Sequence, residues 1–304
     1  MLSIAGNTFQ RPITDGLWKI LSRARLVARE NQQELIQQGY QLKLNIQGKP
    51  KGTQPINFVI YHVPFAQDKD KSIASFDVPT IDHTKIKHLE FVRWTIQAIQ
   101  HTCPDAEIVI CTDQTFGDEL ADLQPTILIP EVERNRPMYY RARTYNTIIQ
   151  NKWLSGTTVF IDSDAIVLKD LRSLPTELNF KVGVTARYAP NLMPINEGVI
   201  ITKSQSQQAI DFFAHYIGTY QFIKDDKDIQ KITGNDLMRW RGGQLSLNAI
   251  CHGIKMPDFR DSSGHAKILP CDKYNYAVRS KEEVAILAKE GTKYIAHVKG
   301  KAKY

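Results

Sequence analysis

Beyond Pro55, short apolar β-rich runs alternate with stretches of helical periodicity. No other feature narrows the possible folds as much. Ile56–Val63, Glu107–Cys111 and Thr126–Ile129 read as buried strands. Between the first two, Leu89, Val92, Ile96 and Ile99 recur at helical spacing. Arg143–Leu154 reads as a helix, Thr157–Leu168 as a strand running through acidic residues, and Val182–Thr185 and Val199–Thr202 as further strands. Ser204–Ile223 is a long helix with an aromatic face, Gln244–Cys251 and Glu282–Lys289 are shorter helices, and Tyr294–Val298 is a last strand or loop. Strands separated by helices pair in parallel, and a parallel sheet needs cover on both faces. The expectation is an α/β chain with one mostly parallel sheet and helices on both sides. No internal repeat and no second domain is visible in the pattern.

Residues 1–55 differ from the rest. Asp15 can cap a helix running through Leu17, Trp18, Leu21, Ala24 and Ala28, decorated by Lys19, Arg23, Arg25 and Arg29. A Gln-rich stretch follows, Gln32 to Gln41, and then Gly48, Pro50, Gly52 and Pro55 read as a linker. The predicted organisation is a basic N-terminal helical extension over 1–55 and an α/β domain over 56–304.

Charge and cysteines narrow the function classes. The chain of 304 residues carries 39 basic and 32 acidic residues, a net +7. An anionic partner is therefore a first thought. The excess is local, however. Residues 1–55 hold eight basic and three acidic side chains, the last ten residues hold three lysines and no acid, and the middle is close to neutral. No RNA-stacking motif, zinc module or helix-turn-helix signal accompanies it, so a nucleic-acid partner is not expected. Cys103, Cys111, Cys251 and Cys271 form no C-x-x-C pair and read as free thiols of a reducing compartment. No apolar run approaches the roughly 20 residues of a spanning helix, and no secretory leader is evident. A cytoplasmic protein is expected, with the N-terminal arm as a candidate peripheral contact at the inner face of a membrane.

Ligands of open parallel sheets bind beyond the carboxyl ends of the strands, so polar residues there are the first candidates for chemistry. Val159-Phe160-Ile161 ends in Asp162-Ser163-Asp164. Two carboxylates held that close repel unless a cation or proton intervenes, and hard oxygen ligands suit magnesium or manganese. Haloacid dehalogenase-type phosphatases also end a strand in Asp-x-Asp and use a later Gly-Asp-x-x-x-Asp. Here Gly117-Asp118-Glu119-Leu120-Ala121-Asp122 precedes the pair, the reverse order. A non-catalytic basic membrane- or nucleic-acid-binding protein is the other alternative. The chain ends His297-Val298-Lys299-Gly300-Lys301-Ala302-Lys303-Tyr304, which combines an imidazole, a glycine that lets backbone approach an anion, and a point charge suited to phosphate.

Asp162-x-Asp164 followed far downstream by His297-x-x-Gly300-x-x-Lys303 resembles the GT-A glycosyltransferases, most closely glycosyltransferase family 8. Three further stretches are similar to that family. A helix with an arginine precedes the acidic pair, Arg143 with Arg141 as rival. Asn196-Glu197-Gly198-Val199 fits an Asn-x-Gly-Val element. Gln244 and Asn248 fit a Gln followed four residues later by Asn. Three features depart from the pattern: Gly243 and Leu245 flank Gln244 where the family carries acids, Tyr304 follows Lys303 where the family continues Pro-Trp, and Thr185-Ala186-Arg187 offers an arginine where the family often has a sugar-contacting acid.

The resemblance implies a GT-A, Rossmann-like fold and a metal-dependent transferase. It would move a hexose-type sugar from a nucleoside-diphosphate sugar, most naturally a UDP-sugar, to a hydroxyl of a glycan or glycolipid, with retention. It implies that Asp162, Asp164 and His297 ligate Mn2+ or Mg2+. It implies that Ser163, Arg143, Asn196, Gly198, Gly300 and Lys303 bind the donor. Tyr61, His62 and Val63 at the first strand end and Asp113 at the second would hold base and ribose, and Gln244 would stand near the anomeric carbon with Asp164.

Overall fold

Every residue of β1 (Ile56–Tyr61) is buried, as a strand covered on both faces must be. The computed structural model describes residues 15–63, 85–133, 135–186, 194–232, 242–251, 266–278 and 280–298. The remaining strands are β2 (Glu107–Asp113), β3 (Ile127–Ile129), β4 (Thr157–Ile161), β5 (Ala165–Val167), β6 (Val182–Ala186), β7 (Ile195–Lys203), β8 (Ala266–Pro270), β9 (Tyr276–Val278) and β10 (Ile295–Val298). Seven of them form one sheet in the order β3-β2-β1-β4-β7-β6-β8. All its pairs are parallel except those of β7, which runs against both β4 and β6. A small second sheet has the order β5-β10-β9. The chain is an α/β protein with a mostly parallel sheet, as the alternation of runs predicts.

Among the described residues, the principal helices are α1 (Asp15–Glu30), α2 (Gln32–Gln41), α3 (Lys85–Thr102), α4 (Pro137–Gln150), α5 (Gln207–Asp225), α6 (Gly242–Ile250) and α7 (Lys281–Glu290). They cover the large sheet on both sides, because alternate residues of each strand point to opposite faces. Val59, Phe160 and Ile200 face a cluster built with Tyr145 of α4, Phe213 of α5 and Leu247 of α6. Phe58, Val159 and Ile201 face a second cluster with Ile96 and Ile99 of α3.

Two features position the site. The first is the point where strand order reverses: β1 pairs with β2 on one side and with β4 on the other. Their carboxyl ends leave a crevice there, the place where open sheets bind ligands. The second is the reversed strand. Because β7 is antiparallel to β4, its first residues lie beside the last residues of β4, with Ile161 opposite Val199. The run Thr157–Leu168, expected as one strand, is therefore two. β4 belongs to the large sheet and β5 to the small one, and the acidic pair forms the turn between them.

The N-terminal segment is built into the core. α1 turns Ile20, Leu21, Ala24 and Ala28 into the same cluster as α5 and α6. The Gln-rich stretch is helix α2, which crosses α5 at glycine contact. A Cβ on Gly39 would come within 1.9 Å of the Ala214 carbonyl oxygen, and one on Gly218 within 2.0 Å of that of Leu35. Asn146 and Gln150 of α4 both donate to the Gly39 carbonyl, and Tyr40 hydrogen-bonds Asp211. No described helix is long and apolar enough to cross a membrane. All four cysteines are free.

Candidate metal centre

The sequence ends β4 in two carboxylates, and the fold brings a histidine to them. β10 pairs antiparallel with β5, placing His297 opposite Ala165, and the Val298 amide donates to the Asp164 carbonyl at 3.0 Å. Ligand atoms of Asp162, Asp164 and His297 consequently lie within 4.8 Å of one another. His297 Nε2 stands 2.9 Å from Asp164 Oδ1 and 3.7 Å from Asp162 Oδ2. Residues far apart in the chain thus meet with two oxygens and one nitrogen.

The backbone beside them comes from β7. The Asp162 amide donates to the Gly198 carbonyl at 2.9 Å. Gly198 is small of necessity: a Cβ there would lie 2.5 Å from Asp162 Oδ2 and 3.1 Å from His297 Cε1. Between β6 and β7 the register breaks, since Val184 pairs with Ile200 but Thr185 pairs with Asn196. Such irregularities re-aim side chains at sheet ends. Here Asn196 Oδ1 accepts from the Gly198 amide at 2.8 Å and from Asn275 Nδ2 at 2.8 Å. Asn275 Oδ1 in turn lies 2.9 Å from His297 Nδ1.

The opposite side of Asp162 is held by charge. Buried Arg141 on α4 bridges Asp162 Oδ1 at 2.7 Å and Glu197 Oε2 at 2.8 Å. Burial works against its charge, but the carboxylates of Glu197 and Asp162 more than offset this and push its pKa well above the usual guanidinium value. Tyr216 donates to Glu197 Oε1 at 2.5 Å. Burial, and then the nearby Glu197 carboxylate, hold its phenol well above the ordinary range. Three formal carboxylates against one guanidinium leave an excess of two negative charges, which matches one divalent cation.

Arg143, the arginine expected to face the donor, points elsewhere. Its guanidinium donates to the carbonyls of Leu42 and Lys43, because two helix positions turn a side chain to another face. The arginine facing the acidic pair is Arg141. A signal for this exists in the sequence. Tyr145 lies one turn on from Arg141, on the same face, and its ring packs on Phe160 of β4, centroids 4.3 Å apart.

The other expected residues distribute as follows. Tyr61 ends β1 buried, its hydroxyl without a hydrogen-bond partner among the described residues. His62 Nδ1 lies 3.1 Å from Ser163 Oγ across the crevice, its ring 5.4 Å from that of Phe116. Thr95 of α3 donates to the Ser163 carbonyl and fixes that turn. Val63 is buried in the core. Asp113 ends β2 as the cap of the following short turn, accepting from the Phe116 amide at 2.6 Å. Gln244 donates to the Ile195 carbonyl at 2.8 Å, and Asn248 accepts from the Ile195 amide. Together they fix the start of β7. Gly300 and Lys303 lie outside the described residues. The Gly117–Asp122 run does not join the cluster, and Asp122 pairs with Arg93 on the surface. Sequence reasoning missed Asn275, an isolated asparagine in a tight connection with no spacing signal of its own.

No family model and no curated protein matches the chain. Among solved structures it is similar to a glycosyltransferase involved in glycosylating the major capsid of PBCV-1, at 11% identity, 82% of this chain, 94% of that one and a TM-score of 0.43. It is also similar to mouse xyloside xylosyltransferase 1, at 10% identity, 81% and 98% coverage and a TM-score of 0.45. A third is a galactosyltransferase in complex with donor and acceptor sugar analogues, at 10% identity, 80% and 87% coverage and a TM-score of 0.34. Likeness at that level carries no argument about chemistry, which has to come from the site.

Proposed function

We propose that this chain is a metal-dependent glycosyltransferase of the GT-A type. It would transfer a hexose from a nucleoside-diphosphate sugar, a UDP-sugar in the first instance, to a hydroxyl of a glycan or glycolipid, with retention. In this reading residues 56–304 are the transferase unit and 1–55 its helical extension. One observation carries the proposal: Asp162, Asp164 and His297 converge at the carboxyl end of the sheet where strand order reverses.

The residues fit a divalent cation. Two carboxylates and an imidazole suit Mn2+ or Mg2+, the formal charge excess matches, and Gly198 keeps the space beside Asp162 and His297 open. When bound, the ion would offset the charge of a departing diphosphate. The chain's own groups do the rest. Arg141 orients Asp162 through Oδ1 and leaves Oδ2 toward His297. Tyr61, His62 and Val63, with Asp113, offer the strand-end crevice to base and ribose, and Ser163 and Asn196 flank the diphosphate. Gly300 and Lys303 would close over that diphosphate. Gln244 and Asp164 would stand at the reacting sugar.

Glu197 supports retention. Its carboxylate is buried between Arg141 and Tyr216, so it is not free to deprotonate an acceptor, as an inverting reaction requires of a base. Should the acceptor be lipid-linked, a membrane contact by residues 1–55 falls to exposed Trp18 and Leu26, since the inward face of α1 is taken up by the core.

The test is a panel of nucleotide sugars, each with and without Mn2+, read by thermal shift and by donor hydrolysis. One donor should stabilise the protein and be turned over only with metal. Asp164→Ala and His297→Ala should abolish turnover while the circular dichroism spectrum persists. Full activity in excess chelator would overturn the metal assignment.

A further inference from the structure

The network behind His297 has a definite direction, and it starts from an atom whose role is not in question. The Gly198 backbone amide can only donate, so Asn196 Oδ1, at 2.8 Å, is an acceptor oxygen. The group 2.8 Å from that same oxygen must then be the Asn275 amide nitrogen. Its other contact agrees: Thr185 Oγ1 donates toward the Asn196 and Val199 carbonyls and accepts from Asn275 at 3.2 Å. With the nitrogen end fixed, the end of Asn275 facing His297 is its oxygen. An oxygen 2.9 Å from His297 Nδ1 requires that Nδ1 carry the proton. Nε2 is then the ring nitrogen that turns toward Asp162 and Asp164. Asn275 and His297 are both buried, 3% and 4% exposed, so water does not compete for these positions.

We propose that Asn275 is a positioning residue that keeps a proton on His297 Nδ1, so that Nε2 is the nitrogen offered to a cation held by the carboxylate pair. Metal-binding histidines depend on the hydrogen bond made by their other nitrogen. Usually a carboxylate or a backbone carbonyl makes it. Here the acceptor is a neutral amide whose orientation is set by a backbone N–H two hydrogen bonds away. A neutral acceptor adds no further negative charge to a site already holding an excess of two. The use of Nε2 for metal rests on the reading proposed above, whereas the proton on Nδ1 does not.

Two measurements on the full chain test this. The first uses the wild-type protein without metal. Long-range 1H–15N correlation reports which nitrogen of His297 is protonated, with the resonance assigned by its loss in His297→Gln. A proton on Nδ1 is expected, with or without one shared between Nε2 and Asp164, and a bare Nδ1 would overturn the proposal whether or not any variant folds. The second is Mn2+ titration followed by electron paramagnetic resonance. Asn275→Leu removes the acceptor at similar volume, so it should populate the other tautomer and weaken Mn2+ binding by about 10- to 100-fold. Unchanged tautomer and unchanged affinity in Asn275→Leu would sink the proposal while leaving the metal assignment standing. If wild type shows the Nδ1–H tautomer, loses it in Asn275→Leu and binds no Mn2+, the positioning role holds and the glycosyltransferase reading fails.

Discussion

Asp162 is held from two sides by opposite means. On the α4 side its Oδ1 meets Arg141, a full charge that is itself shared with Glu197. On the small-sheet side its neighbour is His297, steadied by two neutral amides, Asn275 and Asn196. Both halves are buried, and both draw on neighbouring residues of β7, since Glu197 points one way and Asn196 the other as strand alternation demands. The charged half fixes position through strong attraction and is costly if one partner is lost. The neutral half adds little attraction but dictates direction, because an amide has distinct donor and acceptor ends. A carboxylate meant to accept a cation benefits from having one oxygen tied by charge and the neighbouring imidazole steadied without added charge.

Four perturbations would break or sharpen this contrast. The largest effect should come from Asp162→Asn, which removes the charge on which both halves converge. Mn2+ binding and turnover should be lost, while the Arg141–Glu197 pair keeps the fold. Retained Mn2+ affinity would show that the two halves do not serve one site.

Arg141→Met should come next, destabilising the protein by about 3–5 kcal/mol in urea unfolding, since it leaves buried carboxylates uncompensated. Adding Glu197→Gln should recover a large part of that loss. No recovery would mean that the pair is not the source of the cost.

Gly198→Ala places a methyl group against Asp162 and His297 at once. A loss of about 1–3 kcal/mol is expected from overpacking, along with weakened Mn2+ binding. An unchanged affinity would indicate that the strand yields before the ligands do.

The smallest effect belongs to Arg143→Ala, about 1 kcal/mol from two lost hydrogen bonds to backbone, with Mn2+ affinity unchanged. A metal defect in that variant would restore the arginine that the sequence pattern favoured.

Legibility in the sequence follows the range of the forces involved. The alternation after Pro55 announces the layered sheet, because burial on both faces writes itself into every strand. The acidic pair and His297 could be read as partners because each carries a short motif of its own. Asn275 carries none. Its meaning depends on where β9 and β10 bring it. The choice between Arg141 and Arg143 was a matter of helix phase, decided by how Tyr145 seats against Phe160. The N-terminal arm shows a different limit. Amphipathic spacing says that α1 has an apolar face but not what that face meets, and a basic helix on a membrane has the same pattern as one laid over α5 and α6.

The small sheet also sets a timetable. A ribosome delivers β4 and its carboxylates before β10 and His297, which follow every described strand of the large sheet. Between the making of Asp162 and that of His297 the nascent chain holds Arg141 and both carboxylates yet lacks the imidazole. Arrival of β10 completes the cluster, because the carboxylates come from the turn after β4 and the imidazole comes from the central strand of the small sheet, so the centre joins parts of the chain that neither sheet alone supplies.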